Sequence, residues 1–113
     1  MCTQSDLKNI LRKMVVIYRN ICNQNLCDIY LYGSYARGDY NTESDIDIVA
    51  IVKGERPELQ EQLKKVWDVV PDLELDYEVI ISPTVIPYAE FETYKEILPY
   101  YRNIAQEGVK LSA

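Results

Sequence analysis

The chain has 113 residues, 48% of them hydrophobic, which is enough apolar material for one modest core and matches a single domain over residues 1–113. Its 12 Lys+Arg against 18 Asp+Glu leave a net charge of −6, which argues against a sequence-independent grip on DNA or RNA. It contains no histidine, so a Ser-His-Asp or Cys-His nucleophile site and a histidine-ligated zinc or haem site are excluded, and any chemistry runs on carboxylates, hydroxyls, amines or a bound metal.

The cysteines, Cys2, Cys22 and Cys27, are odd in number and form no C-x-x-C pair, so free thiols in a reducing compartment are expected. There is no signal-peptide pattern at Met1–Ser5 and no apolar run of membrane-spanning length, so the expectation is a soluble cytoplasmic protein with no membrane contact.

Residues 5–24 carry Leu7, Ile10, Leu11, Met14, Val15, Tyr18 and Ile21 at helical spacing, with Ser5 as N-cap and a basic outer face of Lys8, Arg12, Lys13 and Arg19. Residues 28–32 are β-prone and stop at Gly33. Residues 33–44 are rich in turn formers and predict a short helical turn after Ser34, then a loop. Residues 45–52 begin as an alternation, Asp-Ile-Asp-Ile, and continue as an unbroken apolar run, the pattern of a strand entering a sheet covered on both faces. Pro57 opens a second helix with Leu59, Leu63, Val66, Trp67 and Val70 as its stripe, and Pro71 is expected to end it. Residues 73–82 alternate and then turn apolar, predicting a third strand; Pro83 and Pro87 frame a connection. Helices are expected over Tyr88–Leu98 and Pro99–Glu107, with Gly108 as a stop. The fold class that follows is α/β (α+β): a small mixed β-sheet packed by helices.

Asp45 and Asp47 are two apart on a predicted strand, so their carboxylates share one face about 6.5–7 Å apart along the backbone. Placed at the mouth of a buried strand, the pair needs compensation; a divalent cation such as Mg²⁺ supplies it, and a solvated pair is the alternative. Gly33 and Ser34 close the preceding strand, where glycine lets a phosphate approach the backbone and serine adds a hydroxyl. Tyr35 and Tyr40 are candidates for stacking on a base, or else loop packing residues.

The segment Gly33-Ser34, ten residues, then Asp45-Ile46-Asp47 resembles the signature of the DNA polymerase beta-type nucleotidyltransferase superfamily. Gly33-Ser34-Tyr35-Ala36-Arg37-Gly38-Asp39 with Ser44-Asp45-Ile46-Asp47-Ile48 is similar to its minimal nucleotidyltransferase (MNT, MntA-like) group, and the resemblance spans nearly the whole chain. It implies that fold, with Gly33 and Ser34 holding the triphosphate of ATP and Asp45 and Asp47 holding two Mg²⁺ ions. Arg37 touches phosphate, or else pairs with Asp39, Glu43 or a strand carboxylate. The superfamily places a third carboxylate on the next strand. Glu74, Asp76 and Glu78 share one face of the predicted third strand, and Glu78, just before Val79-Ile80-Ile81, ranks slightly above Asp76 as the third metal ligand and acceptor of the substrate proton.

The resemblance further implies transfer of AMP to a protein hydroxyl, on a tyrosine of a HEPN-type ribonuclease toxin to which the chain would be the antitoxin. The alternatives are an antitoxin domain that binds nucleotide or partner without catalysis and, further off, a small-molecule (aminoglycoside-type) nucleotidyltransferase. Oligomeric state stays open. The charge is polarised: residues 1–27 hold four basic residues against one acidic, whereas Val66 to Tyr94 hold seven acidic residues and no Lys or Arg.

Overall fold

A computed structural model describes residues 3–111; Cys2 lies outside the described residues. The first helix, α1, spans Gln4–Cys22. Its N-cap is Thr3 rather than Ser5: Thr3 Oγ1 accepts from the Asp6 N–H at 3.0 Å, and Asp6 Oδ2 accepts from the Thr3 N–H at 3.1 Å, a reciprocal box that Ser5 cannot form from inside the first turn. The buried face is Leu7, Ile10, Met14, Val15, Tyr18 and Cys22. A 3₁₀ turn at Asn23–Asn25 leads into β1, Leu26–Tyr32. A one-turn helix, α2 (Ser34–Arg37), and a loop lead to β2, Ile46–Val52. The long α3 covers Arg56–Tyr77, β3 covers Ile81–Pro87, α4 and α5 cover Tyr88–Tyr94 and Pro99–Glu107, and β4 is Val109–Leu111.

The strands form one mixed sheet in the order β3-β2-β1-β4, with β2 and β3 parallel and the other two pairs antiparallel. One face, through Ile29, Leu31, Ile46, Ile48, Ala50, Val52, Ile81 and Val85, packs on α1 and α3. Val49, Ile51 and Ile86 point to the other face, where Phe91 of α4 and Tyr101 and Ile104 of α5 cover them. The apolar run after Asp47 is therefore central and covered twice, as its composition predicts. Tyr18 ties α1 to the sheet: fully buried, it donates its hydroxyl to the Thr84 carbonyl at 3.0 Å, with the Ile48 carbonyl at 3.4 Å. Among the described residues, no helix is long and apolar enough to cross a membrane. Cys22 and Cys27 are free thiols, and burial pushes Cys22 up to about 11.

Several expected boundaries are corrected. Pro71 does not end the second helix; α3 runs through it for six more residues. Pro71 lies on the exposed side, while Leu73 continues the buried stripe of Leu59, Leu63, Val66 and Val70, so burial offsets the backbone bond that proline removes. Trp67, expected in that stripe, is half exposed and donates its indole N–H to the Pro83 carbonyl at 3.3 Å. The third strand is not 73–82 but Ile81–Pro87, with Pro83 and Pro87 inside it. Those prolines are tolerated because β3 is an edge strand, where a missing N–H can face away from a partner. The helix expected over Tyr88–Leu98 stops at Tyr94. A fourth strand, unforeseen, pairs Val109–Leu111 with Ile29–Leu31.

The turn from α3 to β3 is built by acidic residues. Glu78 caps α3 in the left-handed conformation (φ 53°, ψ 51°), with its N–H donating to the Glu74 carbonyl. The Glu74 carboxylate accepts from the Ile81 N–H at 2.9 Å, holding the first residue of β3 against the helix end. A left-handed cap is the position glycine fills without a Cβ penalty. Glu78→Gly is therefore expected to stabilise the fold by about 1 kcal/mol, read as a higher midpoint in chemical denaturation with unchanged slope.

Candidate active site

Tyr32 ends β1, Gly33 turns the chain, and α2 begins at Ser34. Gly33 has φ 77°, a left-handed value that favours glycine, and its carbonyl accepts the N–H groups of Ala36 and Arg37 at 3.0 and 3.1 Å. The Cα of Gly33 lies against the carboxylate of Asp47: a Cβ there would sit 2.5 Å from Asp47 Oδ2. The register explains the approach. Tyr32 is directly opposite Asp47 across the β1–β2 pair, so the residue after Tyr32 turns over the mouth of β2. The serine-bearing turn and the carboxylate strand, eleven residues apart in sequence from Ser34 to Asp45, become one site through this single antiparallel pairing.

Asp45 is exposed just before β2, and Asp47 is half-buried one pleat further in. Partial burial raises the pKa of Asp47 above the ordinary aspartate value; the negative charge of Asp45 raises it further, and the positive charge of Arg37 opposes both. Asp45 Oδ2 accepts from the Ser82 hydroxyl at 3.3 Å, and Ser82 is the β3 residue aligned with Asp47. The donors gathered here are carboxylate and hydroxyl oxygens, with no nitrogen or sulfur, and the exposed Asp45 carboxylate repels that of the half-buried Asp47. That set fits a hard divalent cation such as Mg²⁺.

Arg37 pairs with Asp39 at 3.3 Å and lies 4.0 Å from Glu107, on the rim of the site. Tyr35 and Tyr40 stack on each other, with centroids 4.2 Å apart and planes 7° from parallel, and Tyr35 is buried; they are loop packing residues. Tyr32, aligned with Asp47 across the β1–β2 pair, meets the ring of Tyr100 edge-on with centroids 5.8 Å apart.

The expected third carboxylate rested on a strand over 73–82, and that segment is placed differently. Asp76 is exposed on the last turn of α3, and Glu78 is the helix cap; neither is on the sheet face that carries Asp47. Among the described residues, no three Asp, Glu, Cys or His side chains gather as a metal cluster. Ser82, missed from the sequence, stands at the sheet position beside the pair. The shift of β3 towards the C-terminus hid it, since Ser82 was read as the end of a strand instead of its second residue.

A glycine-serine turn whose backbone lies against one of two carboxylates at the mouth of the adjoining strand is the layout of a phosphate-handling, cation-binding site. A family profile described as "Nucleotidyltransferase domain" matches residues 15–111. One relative, from Methanocaldococcus jannaschii and named as a candidate protein adenylyltransferase, is 35% identical over 71% of this chain and 79% of its own length. Another from the same organism, named likewise, is 32% identical over 87% of this chain and 98% of its own. The chain belongs to the nucleotidyltransferase domain family and is a nucleotidyltransferase. Among solved structures, a candidate minimal nucleotidyltransferase aligns with a TM-score of 0.62 at 16% identity, over 98% of this chain and 97% of that one. A toxin–antitoxin crystal structure with AMP-PNP aligns at 0.59 and 18% identity, over 91% of this chain and 73% of that one. These two likenesses show the fold, a mixed sheet of the minimal nucleotidyltransferase type.

Proposed function

We propose that this chain transfers AMP from ATP, with Mg²⁺, to a hydroxyl of a partner protein, and that it is the antitoxin of a pair whose toxin is a HEPN-type ribonuclease. The observation that carries the reading is the contact between the Gly33 backbone and the Asp47 carboxylate, which puts a phosphate cradle and a charge-bearing pair within one nucleotide's reach. The names of the relatives support protein adenylylation, and a structural neighbour crystallised as a toxin–antitoxin with AMP-PNP supports the partner and the adenine nucleotide. Acid charge and the polarised surface fit a basic partner and not DNA.

In this reading Gly33 and Ser34 hold the β and γ phosphates through backbone and hydroxyl, and Arg37 adds positive charge at the rim. Asp45 and Asp47 would hold Mg²⁺, which when bound offsets the charge of the phosphates and polarises the α-phosphorus. The Ser82 hydroxyl fixes the Asp45 carboxylate from the β3 side. The acceptor oxygen forms a bond to the α-phosphorus, the bond to the bridging oxygen breaks, pyrophosphate leaves and the hydroxyl proton passes to water. Asp76 and Glu78, at the end of α3, have no part in these steps.

The test is incubation with labelled ATP, Mg²⁺ and the product of the neighbouring gene. Label on that product, lost in Asp45→Ala/Asp47→Ala, is the expected result; no label, or equal label with the double variant, overturns the proposal. One observation favours a second reading, neutralisation by contact alone: a serine, not a carboxylate, stands at the β3 position beside the pair. That reading predicts that Asp47→Asn still neutralises the toxin. Loss of neutralisation while the complex persists rejects it.

A further inference from the structure

We propose that Tyr100, braced by Tyr32, is the platform on which the base of the bound nucleoside triphosphate stacks; this rests on the nucleotide-site reading above and names a subsite within it. Tyr32 and Asp47 are directly opposed in the β1–β2 pair, which puts their side chains on the same face of the sheet, with Cβ atoms about 5 Å apart. Tyr100, the second residue of α5, reaches that face from above. Its ring meets that of Tyr32 at 83° with centroids 5.8 Å apart, and meets Tyr101 at 5.8 Å and 48°. Two neighbouring rings thus fix its orientation, and neither lies parallel to cover it. Tyr100 remains 45% exposed where Tyr101 beside it is 8% exposed.

A ring held by edge contacts, with open surface, next to a carboxylate pair is poorly explained by packing. A core tyrosine hides its ring, as Tyr18 and Tyr101 do. A triphosphate is longer than the cradle that holds its phosphates. With the β and γ groups at Gly33–Ser34 and the α group at Asp45–Asp47, the sugar and base extend beyond the pair, and the exposed ring against Tyr32, the residue aligned with Asp47, is that of Tyr100. Of the other exposed tyrosines, Tyr88 carries Lys53 over its ring at 5.6 Å, and Tyr94 lies at the far end of α4. Stacking on one open ring tolerates any base and favours the larger face of a purine. Catalytic specificity for adenine over guanine is then not set by Tyr100.

The full chain, Tyr100→Ala and Tyr100→Phe are titrated with ATP and with inorganic tripolyphosphate, both in Mg²⁺, by calorimetry. Stacking is expected to make the alanine variant about tenfold weaker for ATP and to leave tripolyphosphate within about twofold of the wild type. The phenylalanine variant keeps the affinity for ATP within about twofold, because the ring and not the hydroxyl makes the contact. Equal losses for ATP and tripolyphosphate, no loss for ATP, or a phenylalanine variant as weak as alanine overturns the stacking role. Wild-type protein that binds neither compound overturns the nucleotide-site reading itself, a separate failure visible before any variant is made.

Discussion

Asp47→Asn lowers nucleotidyl transfer by about three orders of magnitude, the scale of removing a charge-stabilising group from a phosphoryl transition state, and at the same time raises the melting temperature of the metal-free protein. Both effects follow from one placement. The folded pKa of Asp47 is raised, by partial burial first and by the charge of Asp45 second. A raised carboxylate pKa means the fold disfavours the ionised form, so ionised Asp47 subtracts stability at neutral pH, and that penalty fades as the pH falls through the folded pKa. Asparagine keeps the shape without the charge and is free of the penalty. The stability gap between variant and wild type should therefore close on mild acidification. Mg²⁺ should raise the melting temperature of the wild type and leave that of Asp47→Asn nearly unchanged, because a ligand stabilises the folded state only at concentrations near or above its dissociation constant, and losing one carboxylate raises that constant. Melting curves at several pH values, with and without Mg²⁺, check all three statements. A variant melting below the wild type without metal at neutral pH contradicts the electrostatic account.

Gly33→Ala is the second large effect. The new Cβ would meet Asp47 Oδ2 at 2.5 Å, and the residue must hold φ 77°. The backbone strain costs about 1–3 kcal/mol of stability. The displaced carboxylate is the greater loss: a shift of this order at a positioned group lowers turnover by about a hundredfold. Gly38 provides the control. It too has a left-handed φ, 86°, but a Cβ there meets nothing within 4 Å. Gly38→Ala should lose less stability, because ψ 5° puts Gly38 in the left-handed helical region whereas ψ −151° puts Gly33 where side chains are scarcely found, and should keep its turnover. Denaturation midpoints and rates on the two variants separate strain from displacement; equal activity losses would show that the Gly33–Asp47 contact is not what matters.

Much of the site was readable because its parts are local. Gly33-Ser34 and Asp45-Ile46-Asp47 each lie at the end of a short segment with strong β character, and the antiparallel pairing of neighbouring strands brings those ends together. The apolar run to Val52 announced a strand covered on both faces, and α1 and α3 cover one while α4 and α5 cover the other. The segment from Leu73 to Ser82 was misread for an equally definite reason. Its alternation fits a strand, but Leu73 also continues the helical spacing of Val66 and Val70, and a proline before it looked like a stop. Which pattern wins depends on whether a neighbouring helix covers Leu73, and α1 does so only in the folded chain. Starting β3 at Ile81 instead of Leu73 puts Ser82 beside the pair in place of Glu78 and leaves Glu78 as a helix cap.

The amino-acid order by itself determined the exclusion of histidine chemistry, the acidic net charge, the glycine-serine turn and the carboxylate pair, because each depends on residue type and on spacing within one segment. Only the tertiary structure decided what borders the pair. Ser82 arrives through parallel pairing across the whole of α3, Tyr100 through α5 folding back over the sheet, and the contact of Gly33 with Asp47 through strand register. These placements are set by burial and register between segments distant in the chain, and no local pattern encodes them.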